Sequence, residues 1–196
     1  LFDRTLRGHY PPGSTLKPFV ALAGLELGLV DEDTESFCPG WFTLPGQEHR
    51  YRCWKSHGHG KVNLKKSIAQ SCDVYFYDLA NALNIDRLHG FLDLFGFGHR
   101  TGVDVPSESR GLSPSREWKR ARRNQAWFPG ETVISGIGQG FNQTTPIQLA
   151  QATATLAMRG VNVSPHVARA SRKTSDSELQ LTSSKVSEAL LMENSQ

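Results

Sequence analysis

The sequence has no long hydrophobic run. None of its apolar stretches reaches the roughly 18 consecutive residues that a bilayer-crossing helix requires, and its start lacks the charged-then-apolar pattern of a secretory leader. It opens on Leu1 rather than Met, so it reads as an excised piece or processed product whose anchor or targeting signal lies outside it. No charge sign dominates either. The net charge is +3, which argues against a general polyanion-binding surface. The composition of a disordered chain is also missing, because 18 Gly and 10 Pro are scattered between apolar segments rather than massed in tracts. No internal repeat is found, which sets aside solenoids and propellers. What is left is a globular chain with many turns, long enough at 196 residues to bury the core of one domain or a large piece of one.

One local exception to the charge balance runs through Arg110, Arg116, Lys119, Arg120, Arg122 and Arg123, with Trp118 and Trp127 nearby. Such a cluster suits phosphates, but a solvated loop facing an acidic partner or anionic headgroups accounts for it equally well. Nucleic acid is not an expected partner. Cysteine is scarce too, and its placement is uneven. All three residues, Cys38, Cys53 and Cys72, fall in one 35-residue window.

Helical periodicity places Leu16, Phe19 or Val20, Ala23, Leu27 and Val30 on one face after a turn at Tyr10-Pro11-Pro12-Gly13-Ser14, with Ser14 as the capping residue and Pro18 in the first turn. Between Cys38 and Lys61, two short runs, Trp41 to Leu44 and Arg50 to Trp54, flank Pro45-Gly46 and predict a small hairpin. Helical spacing resumes from Leu64 to Leu83, as one helix or as two with a break near Ser71, and another helix-like run covers 84 to 98. Residues 107 to 130 read as polar, basic and irregular, and 132 to 140 as Gly-rich. Thr145-Pro146 opens an apolar helix to Met158, and the stretch from Ala170 is rich in Ser, Thr and charge.

Ser14 and Lys17 stand one helical turn apart. With 18 Ser and 8 Lys in the chain, chance alone supplies roughly one such pair, so the spacing by itself is weak. Its chemistry is nonetheless specific. A serine hydroxyl needs a neighbouring base to become a nucleophile, and a lysine amine one turn away at a helix start provides one. The bland alternative is a serine cap beside a snorkelling lysine. Ser71-Cys72-Asp73 adds a second hydroxyl able to relay a proton to a leaving amine, unless it too is only a cap. Together the two elements follow the Ser-x-x-Lys and Ser-x-Asn pattern of serine-lysine acyl transferases, with Asp73 in the Asn position.

The segment Tyr10-Pro11-Pro12-Gly13-Ser14-Thr15-Leu16-Lys17-Pro18 resembles the nucleophile motif of the class B penicillin-binding proteins. Gly136-Ile137-Gly138-Gln139-Gly140 and Thr145-Pro146-Ile147-Gln148 resemble two further segments of that family. Pro39-Gly40-Trp41, Gly58-His59-Gly60 and Arg116-Glu117-Trp118-Lys119 point to its elongation-specific branch, and the similarity runs from about Leu1 to about His166. The resemblance implies the α+β fold shared by penicillin-binding transpeptidases and serine β-lactamases. Most of its sheet strands would lie outside this chain, leaving 1–196 as a partial transpeptidase domain, mostly helical with a small hairpin.

By the same resemblance the activity is a peptidoglycan D,D-transpeptidase that cross-links stem peptides and is acylated by β-lactams. Ser14 would be the acylated nucleophile, Lys17 its base, Ser71 the proton relay and Asp73 a partner ordering Lys17, since a carboxylate cannot donate the amide hydrogen bond of an Asn. Catalysis would need no cofactor. The partners implied are the glycan polymerase and membrane proteins of an elongation complex, at the periplasmic face of the inner membrane with a single N-terminal anchor outside the chain. The family's third motif, Lys-Thr-Gly, is not found. Lys173-Thr174-Ser175 lacks the Gly and strand pattern and comes too soon after Ser71, so the motif is expected beyond Gln196 and the site in this chain is expected to be incomplete. Two other readings share the serine-lysine core. A serine β-lactamase would need a water-activating Glu that nothing here resembles, and a non-catalytic β-lactam sensor or zinc-stabilised scaffold would acylate without cross-linking.

Cys38, Cys53 and Cys72 are spaced unlike a Cys-x-x-Cys ribbon, but with a histidine they would complete a closed tetrahedral site for structural zinc. His59 is the preferred fourth ligand, with His57 or His49 as alternatives. A disulfide with one leftover thiol, or simple burial, competes with the metal.

Overall fold

The apolar segments that periodicity marks as helical meet in the computed structural model, which describes residues 2–173 and 178–182. A short helix α1 (Arg4–Arg7), capped by the Asp3 carboxylate, leads to a 3-10 turn at Gly13–Leu16 and then to α2 (Lys17–Glu26). Four short strands follow, β1 (Ser36–Cys38), β2 (Trp41–Phe42), β3 (Tyr51–Arg52) and β4 (Gly60–Val62). Next come α3 (Leu64–Ala69), α4 (Asp73–Leu94), α5 (Arg116–Arg123), α6 (Pro129–Ser135) and α7 (Pro146–Ala157). A last pair, β5 (Ala170–Ser171) and β6 (Gln180–Leu181), closes the described chain. Mostly helical with very short strands, this matches the expectation for a partial transpeptidase fold. No helix among the described residues is long and apolar enough to cross a membrane.

The helix α4 lies at the centre, between α2 on one side and α6 on the other. Phe19 of α2 is fully buried and meets Phe95 and Phe97 edge-on, with ring centroids 5.2 and 5.1 Å away. On the other side Gly136, just past α6, lets the chain approach α4 so closely that a Cβ there would stand 2.3 Å from the Cβ of Ala80. Of the two readings open for this helical stretch, the structure has the divided one. Ser71 sits in the gap between α3 and α4, and at Asn84 the backbone leaves helical geometry (φ 59°). The Asn84 carboxamide then accepts from the amides of Asp86 and Arg87 and starts the second half afresh.

The expected hairpin is present and has two tiers. The pair β2 and β3 join antiparallel as Trp41 opposite Arg52, and around them β1 and β4 pair as Ser36 opposite Val62 and Cys38 opposite Gly60. The joint between the tiers falls at Pro39-Gly40 and residues 53–59, so residues far apart in sequence converge there. Thr145 opens α7 as expected, its hydroxyl accepting from the Gln148 amide while the Gln148 side chain accepts from the Thr145 amide.

One expectation is corrected. Residues 107 to 130, read as irregular, contain α5, capped by the Ser115 hydroxyl and ended by Asn124 in a left-handed conformation. It has no apolar stripe for periodicity to detect. Its inward residue is Lys119, buried and paired with Glu131 at 2.5 Å, while Arg116 at the surface pairs with Asp86. The basic cluster is thus partly spent on internal pairing. Of Lys173-Thr174-Ser175, Thr174 and Ser175 lie outside the described residues.

Phe19→Ala should destabilise the fold by about 3–5 kcal/mol, because the space between Phe95 and Phe97 cannot collapse around a methyl group. Urea unfolding measures this, with exposed Leu25→Ala as a control expected to stay within about 0.5 kcal/mol of the parent.

Candidate active site and adjoining metal centre

The turn that carries Ser14 is held by main-chain bonds. Tyr10 and Thr144 exchange amide-to-carbonyl bonds of 2.9 and 2.8 Å, and the Gly13 amide donates to the Gly138 carbonyl at 2.9 Å. Gly138 has φ +69°, and a Cβ on it would stand 2.3 Å from the Gly13 carbonyl oxygen. The Gly-rich segment therefore works as a backbone brace for the Ser14 turn. Ser14 is not the helix cap that the sequence suggests. It lies inside the 3-10 turn ahead of α2, and its hydroxyl is free of capping and faces Ser71.

A continuous chain of hydrogen bonds runs from there into the interior. The Ser71 hydroxyl donates to Ser14 Oγ at 2.9 Å. Lys17 Nζ donates to Ser71 Oγ at 3.0 Å, to the Ser71 carbonyl at 2.9 Å and to Asp73 Oδ1 at 2.6 Å. An ammonium has three protons, and here each has an acceptor. Lys17 is only 1 % exposed, so this arrangement is what allows a charge at that depth. The other carboxylate oxygen of Asp73 accepts from the Trp54 amide at 2.9 Å, and Asp73 also sits at the N-terminal end of α4, where the helix dipole favours an anion. Ser14, Lys17, Ser71 and Asp73 are thus brought together, with Lys17 bonded to Ser71 and Ser71 to Ser14.

Ser71 has φ +51°, an uncommon conformation for a residue with a Cβ. Its carbonyl accepts from Lys17 Nζ and also from the indole Nε1 of Trp54 at 3.0 Å. Trp54 is a site residue that sequence reading passed over. It was legible only as the end of a strand run, and its place beside Cys53 was the one available signal.

Behind this network, the ligand atoms of Cys38, Cys53, His59 and Cys72 all lie within 4.8 Å of one another, and all four residues are buried. His59 Nδ1 is 3.5 Å from both Cys38 Sγ and Cys53 Sγ. Tetrahedral zinc bound by thiolates and imidazole separates sulfur and nitrogen ligands by about 3.6 Å, so the set fits that ion. His57 and His49 are not in the group. His57 is exposed, and His49 stacks against Tyr51. All three thiols are free of disulfides. Burial pushes the Cys72 thiol up to about 12, with the neighbouring cysteines adding to it, and likewise raises Cys53; burial lowers His59. Cys53 and Cys72 therefore hold their protons until a cation displaces them.

Asp73→Ala removes the acceptor for the buried Lys17 ammonium and for the Trp54 amide together. It should lower stability by about 3–5 kcal/mol in chemical denaturation, with Asp73→Asn intermediate.

The chain as a whole is similar to known proteins. A family profile described as the penicillin binding protein transpeptidase domain matches residues 1–192. The chain is 52% identical over 170 residues to the peptidoglycan D,D-transpeptidase MrdA of Acinetobacter baumannii, covering 87% of this chain and 25% of that protein. Penicillin-binding protein 2 (PBP2) of Pseudomonas aeruginosa, solved in complex with WCK 5153, superposes with a TM-score of 0.84 at 55% identity, over 86% of this chain and 38% of that one. PBP2 in its complex with MreC from Helicobacter pylori gives a TM-score of 0.81 at 38% identity, over 91% of this chain and 32% of that one. The chain spans about a quarter of the length of the curated relatives it matches. With the profile covering nearly all of its residues, the chain belongs to the penicillin-binding protein transpeptidase family.

Proposed function

We propose that the protein containing this chain is a peptidoglycan D,D-transpeptidase that cross-links stem peptides during cell-wall elongation through an acyl-serine intermediate. The observation that carries this reading is the unbroken run of hydrogen bonds from Asp73 through Lys17 and Ser71 to Ser14. Ser14 Oγ attacks the carbonyl between the two terminal D-alanines of a donor peptide. For this step Lys17 first gives up one of its protons; the neutral amine, still held by Asp73, then takes the Ser71 hydroxyl proton while Ser71 takes that of Ser14, the reverse of the resting donor order. Return of a proton through Ser71 to the leaving nitrogen frees D-alanine, and the amine of a second stem peptide then attacks the ester to form the cross-link and release Ser14. A β-lactam enters the same first step, and its opened ring stays attached to the serine.

A PBP2 solved in complex with MreC and a peptidoglycan synthase complex that coordinates polymerization and crosslinking both resemble this chain, which supports membrane-associated elongation partners and a glycan polymerase as partners of the whole protein. The periplasmic face of the inner membrane and a single N-terminal anchor are proposed from the family resemblance alone. Cys38, Cys53, Cys72 and His59 Nδ1 are the proposed holders of a structural zinc ion. Four protein ligands leave no position for an activated water, so the ion supplies a staple rather than a reactive centre.

Two measurements test these assignments. Incubation of the full-length protein with a penicillin should give a mass adduct on Ser14 that is absent in Ser14→Ala; an unmodified Ser14 would sink the transpeptidase reading, and rapid loss of the adduct by hydrolysis would indicate a β-lactamase. Elemental analysis should find one zinc per chain, lost in Cys53→Ser. Because the thiols release protons when zinc binds, affinity should rise with pH and fall on acidification, which chelator competition at several pH values reads directly.

A further inference from the structure

The metal cluster and the catalytic network share a stretch of chain at two places. Cys72 lies between Ser71 and Asp73, and Cys53 is followed by Trp54. Any ion held by both cysteines ties segment 53–54 to segment 71–73 from the buried side. On the outer side the same segments are tied by Trp54. Its amide donates to Asp73 Oδ2 at 2.9 Å, and its indole Nε1 donates to the carbonyls of Gln70 at 3.1 Å and Ser71 at 3.0 Å. Its ring also meets His59 edge-on, with centroids 5.4 Å apart.

The indole is 65 % exposed, so apolar burial is not what keeps it there. Its polar atoms reach the two groups that hold Lys17. The Ser71 carbonyl accepts one hydrogen bond from Lys17 and another from the indole, on a residue whose φ of +51° costs roughly 1 kcal/mol to maintain. Without the indole N–H, the Ser71 peptide would be held in that conformation by Lys17 and its chain neighbours only.

Resting on the transpeptidase reading above, we propose that Trp54 is a positioning residue that couples the Cys38, Cys53, His59 and Cys72 cluster to Ser71, Asp73 and Lys17, so that metal occupancy sets how fast Ser14 is acylated. Cys53 and Cys72 would be fixed by holding the ion, and Trp54 carries that placement to the Ser71 carbonyl and the Asp73 carboxylate, which orient Lys17. Trp54 touches no reacting atom. Its effect falls on the bond-forming step and not on the capture of the ligand.

The test uses the full-length, zinc-loaded protein and a fluorescent penicillin, with the initial binding constant and the acylation rate constant measured separately. Trp54→Phe keeps an aromatic ring at the position and the backbone amide to Asp73, and removes the indole N–H that reaches Gln70 and Ser71. We expect about a ten-fold drop in the acylation rate constant, with ligand binding, zinc content and thermal midpoint essentially unchanged. Chelation of zinc from the parent protein should lower the acylation rate constant similarly, and chelation of Trp54→Phe should add little further, since both act through one linkage. Zinc retention under chelator competition gives a readout independent of acylation and should fall in Trp54→Ala, which also loses the contact with His59.

An unchanged acylation rate in Trp54→Phe, or a loss confined to ligand binding, would overturn the proposal while leaving the transpeptidase reading intact. Additive effects of chelation and Trp54→Phe would overturn the coupling. Absence of any Ser14 adduct in the parent protein would instead overturn the transpeptidase reading and this inference with it.

Discussion

A buried ammonium is the constraint around which this structure is arranged. Lys17 is almost fully enclosed, and a lone charge at that depth would cost several kcal/mol. Three acceptors answer its three protons, and two of them are on Ser71 and the third on Asp73. To bring them there, the chain has to break between α3 and α4, turn Ser71 into a left-handed conformation and start α4 on a carboxylate. The break that periodicity could only suggest near Ser71 is thus a consequence of the demand made by Lys17. Asp73 has a double load, since its second oxygen is bonded to Trp54 and through it to the loop behind. An Asn at this position would offer only one oxygen to meet the same two donors.

The second organising feature is the joint between the two tiers of the hairpin. Cys38 ends β1, while Cys53 and His59 lie between β3 and β4, and the nested pairing sets them side by side although no two share a short motif. Cys72 reaches them from the start of α4. An ion held by residues from a strand end, a loop and a helix N-terminus would lock three elements at once and keep strands only two or three residues long in register beside Ser14.

The sequence made much of this legible, for identifiable reasons. Helices α2, α4 and α7 announce themselves because each buries apolar residues at helical spacing or opens on a capping box, and Pro45-Gly46 marks the hairpin tip. The grouping of cysteines in one window carried the metal cluster even though the spacing did not. What stayed hidden was structure made by polar contacts. Helix α5 has no apolar face and is held by Ser115, Asn124 and the pair between Lys119 and Glu131, none of which leaves a periodic trace. Trp54 was hidden for a related reason, because its partners are main-chain carbonyls and a carboxylate about 20 residues away in sequence. Ser14 was legible as a nucleophile candidate but misread as a cap, since the same residue type begins a helix and a 3-10 turn alike.

The brace between Gly13 and Gly138 has an evolutionary side. Both residues lack side chains, the bond between them is amide to carbonyl, and a methyl group added at Gly138 would stand 2.3 Å from the Gly13 oxygen. At Gly13 there is room, but φ of +57° disfavours any other residue. Point substitution therefore finds almost nothing to vary in the contact that sets the Ser14 turn: it is written in backbone atoms, and the freedom to change lies in the side chains around it.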